Sequence, residues 1–112
     1  MSFRELYDFD RRYNDSRRIL LKYPDRIPVI VECGKNVPSI DKHKYLVPRD
    51  LTAGQFLYVL RKRMELKPEQ ALFLFVENIL PPTSSTLSEI YNKYKEEDQY
   101  LYITLQEENT FG

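Results

Sequence analysis

Apolar and polar positions change period several times along this chain, and each change marks an element. Between residues 8 and 23, Phe9, Tyr13, Ser16, Leu20 and Tyr23 recur at alternating steps of four and three. That spacing predicts an amphipathic helix, with Arg11, Arg12, Arg17, Arg18 and Lys22 elsewhere on the cylinder. Asp8 and Asp10 suit the positive end of its dipole, and Pro24 stops it. A shorter turn around residues 2–6 precedes it.

The period then shortens. Arg-Ile-Pro-Val-Ile-Val-Glu-Cys at 26–33 is β-branched and predicts a buried strand. Pro28 donates no ladder bond, so it is expected near the strand start or facing a gap. After a polar turn at 34–41, residues 44–48 predict a second strand ended by Pro48, completing an irregular hairpin. Residues 51–64 return to helical period: Phe56, Val59, Leu60 and Met64 form a stripe. Thr52 and Gln55 have capping-box spacing, and Arg61, Lys62 and Arg63 place cations at the far end. A helical turn is expected at Lys67-Pro68-Glu69-Gln70, a third strand at 72–76 and a short fourth at Ile79-Leu80, ended by Pro81-Pro82. Thr86 and Glu89 open another capped helix, with Leu87, Ile90, Tyr91 and Tyr94 on one side. Glu96-Glu97-Asp98 is an acidic turn, and residues 100–105 a last strand.

Without the N-terminal helix the order is strand, strand, helix, strand, strand, helix, strand. That order resembles an α+β ubiquitin-like β-grasp roll, here with an additional N-terminal helical segment. Its first and last strands should lie parallel and adjacent. Residues 1–24 form the extension, 25–105 the roll, and 106–112 a flexible tail. The tail ends on Gly112, and a residue without Cβ can carry its carboxyl group through a narrow enzyme channel.

Composition narrows the function. One hundred and twelve residues suit one domain, and 42% apolar residues supply its core. The 30% charged residues sum to zero, which argues against disorder and against bulk nucleic-acid binding. The distribution is uneven: residues 1–64 carry 14 Lys/Arg against 8 Asp/Glu, and residues 65–112 carry 3 against 9. Two faces of opposite sign should steer different partners. The single cysteine fits a reducing compartment, and no apolar run approaches the ~18 residues of a membrane span. A soluble, cytosolic monomer is expected.

Catalytic chemistry is not legible. Cys33 and His43 have no linking spacing, Cys33 reads as a small buried residue, and His43 as a solvated turn residue between two lysines. No Cys/His set has metal-ligand spacing, and the three glycines form no phosphate-cradling loop. The chain reads as a non-enzyme, without cofactor.

Several long motifs carry a more specific reading. Lys22-Tyr23-Pro24-Asp25-Arg26-Ile27-Pro28-Val29-Ile30-Val31-Glu32 is followed by Asp41-Lys42-His43-Lys44-Tyr45-Leu46-Val47-Pro48. The stretch from Asp50 to Arg63, then Leu80-Pro81-Pro82-Thr83-Ser84 and Glu108-Asn109-Thr110-Phe111-Gly112, continue in order. From about residue 9 onward the chain resembles the autophagy ubiquitin-like modifiers, the autophagy-related protein eight family that includes GABARAP and the light-chain-three proteins. The resemblance implies activation of the terminal glycine, thioester transfer to a conjugating enzyme, and an amide with phosphatidylethanolamine. Gly112 would be the acyl donor. A two-chain lipid buries many CH₂ groups at ~0.8 kcal/mol each, so the anchor would be stable. A cysteine protease serves maturation and deconjugation in the family. The conjugate belongs on autophagosome membranes and reaches the vacuole or lysosome.

The family also docks aromatic-x-x-aliphatic motifs of cargo receptors and adaptors by strand addition to an exposed sheet edge. Here that edge is 44–48, apolar on both faces as an unreserved edge should not be. By similarity the aromatic pocket uses Asp15, Ile19, Pro28, Ile30, Lys44, Leu46 and Tyr100. The aliphatic pocket uses Tyr45, Val47, Pro48, Leu51, Phe56, Val59 and Leu60. Ile30, Leu46 and Val59 are the members expected to be partly core. Arg26, Lys44 and Arg63 stand ready for acidic flanking residues. Phe73 and Phe75, on one side of their strand, resemble a second exposed aromatic surface. Asp15 stands where the family often has a longer Glu, and His43 interrupts a basic run; both bear on which motifs are preferred. The alternative is a non-conjugated ubiquitin-like module in vesicle trafficking or on the cytoskeleton.

Overall fold

Arg26–Cys33 (β1) is the strand on which the rest is assembled. It pairs antiparallel with Lys44–Pro48 (β2) and parallel with Leu101–Gln106 (β4), which in turn pairs antiparallel with Phe73–Phe75 (β3). The sheet order is β2-β1-β4-β3 in a computed structural model that describes residues 1–107. The last part of the expected tail, with Gly112, lies outside the described residues. A strand with neighbours on both sides and helices over both faces has no polar direction to face. Ile27, Val29, Ile30 and Val31 are accordingly fully buried.

The register explains Pro28. Val31 N–H donates to the His43 carbonyl at 2.7 Å, so that pair is of the hydrogen-bonded kind. Alternation makes Val29 opposite Tyr45 and Ile27 opposite Val47 the same, and leaves Pro28 opposite Leu46 in a position that exchanges no bonds. The parallel ladder with β4 begins only at Val29, opposite Leu101. The missing N–H of Pro28 therefore costs neither ladder a bond.

The helices are Phe3–Leu6 (α1), Phe9–Lys22 (α2), Ala53–Arg63 (α3) and Leu87–Tyr94 (α4). Reciprocal caps of Ser2 with Glu5, Thr52 with Gln55 and Thr86 with Glu89 open α1, α3 and α4. The Asp8 side chain caps α2 by accepting from Arg11 N–H at 2.9 Å. On one face of the sheet, Ile27, Val29 and Val31 join Val47, Ile103 and Leu105 beneath Phe56, Leu60, Leu87 and Ile90 of α3 and α4. On the other, Ile30, Tyr100 and Tyr102 pack with Phe3. This outer cluster sits under the N-terminal extension.

Four expectations are corrected. The buried side of α2 is Ser16 and Ile19, while Phe9 and Tyr23 are exposed. Its contact is a polar seam, which apolar periodicity cannot locate: Ser16 Oγ donates to the Asp98 carbonyl at 2.5 Å, and Arg12 Nε to the Asp98 carboxylate at 2.9 Å. Asp98, expected in an open acidic turn, is 2% exposed. Ile79-Leu80 is no strand: Val76 and Ile79 exchange bonds at 2.9 Å around Glu77 and Asn78, both with positive φ, and the prolines stop the ladder there. Phe75 is buried and Phe73 half-buried, so Phe75 offers no ring to a partner. Alternation gives a side chain its direction, not its exposure.

Candidate peptide-docking groove

The same register that accommodates Pro28 decides what β2 presents to solvent. Tyr45 and Val47 spend their backbone bonds on β1, so those of Lys44 and Leu46 point away from the sheet. Since β2 has a neighbour on one side only, this edge is unpaired among the described strands. An added strand would find N–H and C=O groups of Lys44 and Leu46 in ladder spacing. One carbonyl already has a partner, for the Arg26 guanidinium donates to Leu46 O at 3.3 Å.

Beside this edge, between β2 and α3, lies a cavity of about 370 Å³. Tyr45, Leu46, Val47, Pro48, Leu51, Phe56 and Val59 line it, with Lys42 and Arg63 at its border. Tyr45 and Phe56 meet edge to face, ring centroids 5.6 Å apart, and are themselves buried. They give the groove a rigid aromatic floor. Val59, expected in this pocket and partly core, is 52% exposed and forms a wall of it. Leu60, the next residue, is fully buried and contributes nothing to the cavity. Six of the seven residues expected at the aliphatic pocket thus line one cavity; Leu60 belongs to the core. Two cations ring it: Lys42 Nζ lies 5.0 Å from the Tyr45 ring, and Arg63 Nε and Nη2 hold Asp41 at 2.8 and 3.2 Å.

The residues of the expected aromatic pocket are also brought together, but as a closed stack. Ile30 and Tyr100 are fully buried, and Pro28 and Ile19 are buried with them. Tyr100 donates its hydroxyl to Asp15 Oδ2 at 2.5 Å, and Lys44 Nζ reaches the same oxygen at 2.5 Å. Arg18 Nη2 takes Asp15 Oδ1 at 2.8 Å. Partial burial alone would raise the Asp15 carboxyl, but donors from Lys44, Tyr100 and Arg18 outweigh it and hold it at about 2. Burial, then the bond to Asp15, pushes the Tyr100 hydroxyl well above the ordinary tyrosine range. Of this set only Asp15 and Lys44 border an open cavity on the α2 side, and Leu46 borders the groove.

A nucleophile is not prepared here. Cys33 is a free, half-buried thiol whose burial raises its pKa. His43 is not merely solvated: its Nδ1 meets the Val31 carbonyl at 2.8 Å. Among the described residues no group of His, Cys, Asp and Glu could hold a metal ion, and no helix is long and apolar enough to cross a membrane. Lys42 is the groove residue the sequence reading missed. Its signal was the Lys-His-Lys run leading into the edge strand.

A family model described as "Autophagy protein Atg8 ubiquitin like" matches residues 11–112. The chain belongs to the Atg8 family. Among relatives of the Atg8 family, Autophagy-related protein 8d of Arabidopsis thaliana is 55% identical, over 99% of this chain and 94% of its own. Autophagy-related protein 8 of Schizosaccharomyces pombe is 54% identical, over 98% and 93%. The crystal structure of Trypanosoma brucei ATG8 superposes with a TM-score of 0.90 at 39% identity, covering 100% of this chain and 98% of that one. Plasmodium falciparum Atg8, solved in complex with a Plasmodium falciparum Atg3 peptide, gives a TM-score of 0.88 at 34% identity over 96% and 97%. The fold is that of an Atg8 ubiquitin-like autophagy protein, with the N-terminal helices added to the roll. The expected resemblance and fold class are thereby borne out.

Proposed function

We propose that this Atg8-family protein is a modifier, not a catalyst. It is joined through the Gly112 carboxyl to phosphatidylethanolamine during autophagosome formation, and it recruits cargo receptors and adaptors through aromatic-x-x-aliphatic motifs laid along β2. The observation that carries the second activity is the unpaired Lys44–Leu46 edge alongside an apolar groove of about 370 Å³. The first is supported by a family match that runs through the terminal glycine, to residue 112. An Atg3 peptide held by Plasmodium falciparum Atg8 is a precedent for peptide capture within the family. Activating and conjugating enzymes and a deconjugating cysteine protease are the partners assigned to the tail, and nucleic acid is not among them. The protein moves from cytoplasm to autophagosome membrane, then to vacuole or lysosome.

Residues 1–24 act as the extension that frames the aromatic side of the groove, 25–105 as the body, and 106–112 as the reactive arm. Purified protein incubated with activating and conjugating enzymes, ATP and phosphatidylethanolamine liposomes should gain the mass of one lipid less one water, as an amide requires. Gly112→Ala should gain none, since a methyl group at the reacting residue obstructs the channel. An adduct of equal yield in the variant would remove Gly112 from the acyl-donor role while leaving the groove untouched.

A further inference from the structure

Among the described strands β2 has one neighbour, and the backbone groups of Lys44 and Leu46 face away from it. An unpaired apolar edge accepts any strand, including the same edge of a second copy, and proteins blunt such edges with charged side chains. Lys44 does not serve that purpose, because its ammonium is turned back to Asp15 of α2 at 2.5 Å. Pro48 limits only the length of the strand.

Arg26 does serve it. It opens β1 opposite Pro48, and alternation places its side chain on the outer face with Pro28 and Leu46, away from Ile27 and Val47. From there the guanidinium reaches across β2, a strand width of about 4.8 Å, and donates from Nη1 to the outward Leu46 oxygen at 3.3 Å. Among the described residues it pairs with no carboxylate. The half-buried cation is thus held at the edge by one long bond, and it can return to water.

A strand added in either sense needs the Leu46 oxygen as an acceptor. That oxygen keeps a second lone pair, yet an amide sharing it arrives hydrogen-first towards a positive charge. The guanidinium therefore has to give way, and the penalty falls unequally on two kinds of visitor. A motif peptide displaces one guanidinium and offsets that with an aliphatic side chain buried in the groove. Two β2 edges pairing about a two-fold axis displace two and bring like charges together.

Building on the strand-addition reading of β2, we infer that Arg26 is a specificity-determining residue of the docking edge: it caps the Leu46 carbonyl, yields to an anchored peptide and refuses a second copy of the chain. Two variants remove the cap, Arg26→Met, which keeps an apolar stem, and Arg26→Gln, whose amide is shorter. An aromatic-x-x-aliphatic peptide with uncharged flanks is titrated calorimetrically into each, so that attraction between Arg26 and acidic residues plays no part. Its affinity should rise roughly two- to tenfold in both variants, the range that one net intramolecular hydrogen bond gives. Sedimentation equilibrium without peptide should show wild type as the weakest self-associator. In the variants the dimer constant should rise by about the square of the peptide factor, since two caps are lost. The peptide should dissolve those dimers, and Arg26→Met combined with Leu46→Pro should stay monomeric, because the proline removes the outward N–H.

Unchanged or weaker peptide affinity in both variants, or no gain in self-association, overturns the inference and leaves the groove standing. Dimers that persist beside Leu46→Pro, or that resist the peptide, form elsewhere and overturn it as well. Should no form of the protein bind the peptide, strand addition falls, and the cap with it.

Discussion

Asp15 concentrates three donors on one carboxylate at the junction of α2, β2 and β4: Arg18, Lys44 and Tyr100. The unfolded chain lacks those donors, so its Asp15 binds a proton first as solution is acidified, near pH 4. The folded carboxyl holds out to about 2. Its contribution to stability is therefore complete above about pH 4 and drains away as pH falls towards about 2. The pair is partly solvated, which limits the effect to about 1–2 kcal/mol. Asp15→Asn, which keeps the shape and an acceptor for Tyr100, should lose that amount at pH 7. Urea unfolding at pH 7, 4 and 2.5 should then give the variant a flatter stability profile than wild type. Equal slopes below pH 4 would show that the three donors do not single out the charged form.

Elements, not single residues, decide whether the edge is used. In β2 the Leu46 N–H points away from β1, so replacing Leu46 by proline removes an outward donor and no ladder bond. Leu46→Pro should therefore fold, with a loss on the order of 1 kcal/mol from its half-buried side chain, yet lose most affinity for a motif peptide. Amide exchange supplies a second readout: the Lys44 and Leu46 N–H groups of wild type should gain protection when peptide is bound. Peptide binding by Leu46→Pro at wild-type strength would exclude strand addition as the mode. Much of this element-scale picture was legible beforehand, because its signals are local. Thr52 with Gln55 and Thr86 with Glu89 cap across one turn, and the β-branched run of β1 needs no distant partner to be read. What was not legible depends on tertiary neighbours. Val59 and Leu60 are consecutive on one helical stripe, and only the position of β2 beneath α3 decides that the first walls a groove and the second is core. Tyr100 came from family resemblance, which named the residue but not that it would be fully covered.

At the scale of the molecule, the N-terminal extension borders the proposed site, since α2 brings Asp15 and Arg18 to the cavity beside Lys44. It is clasped to the ubiquitin-like body through Asp98. That buried carboxylate accepts from Arg12 Nε at 2.9 Å, Tyr102 Oη at 2.5 Å and Tyr100 N–H at 3.0 Å. Ser16 bonds the Asp98 carbonyl, and Arg4 stacks over Tyr102 at 3.9 Å while pairing with Glu96. Asp98 of the C-terminal half thus ties down Arg12 and Ser16 of the N-terminal half, Glu96 holds Arg4 beside them, and the opposed charges of the two halves meet there. Asp98→Ala would strand Arg12 and the Tyr102 hydroxyl in a nearly dry seam, which typically costs about 3–5 kcal/mol. Replacing both charges with apolar residues of similar size, Arg12→Met with Asp98→Leu, should recover much of that loss. The distinguishing measurement is hydrogen exchange. In Asp98→Ala, amides of Phe9–Lys22 should exchange well before those of β1 and β4, as a locally opening unit. Motif-peptide affinity should fall with them, because the aromatic side of the groove leaves with α2. If α2 instead exchanged in step with the central strands, the extension would be an inseparable part of the body, and Asp98 would stabilise the fold without governing the site.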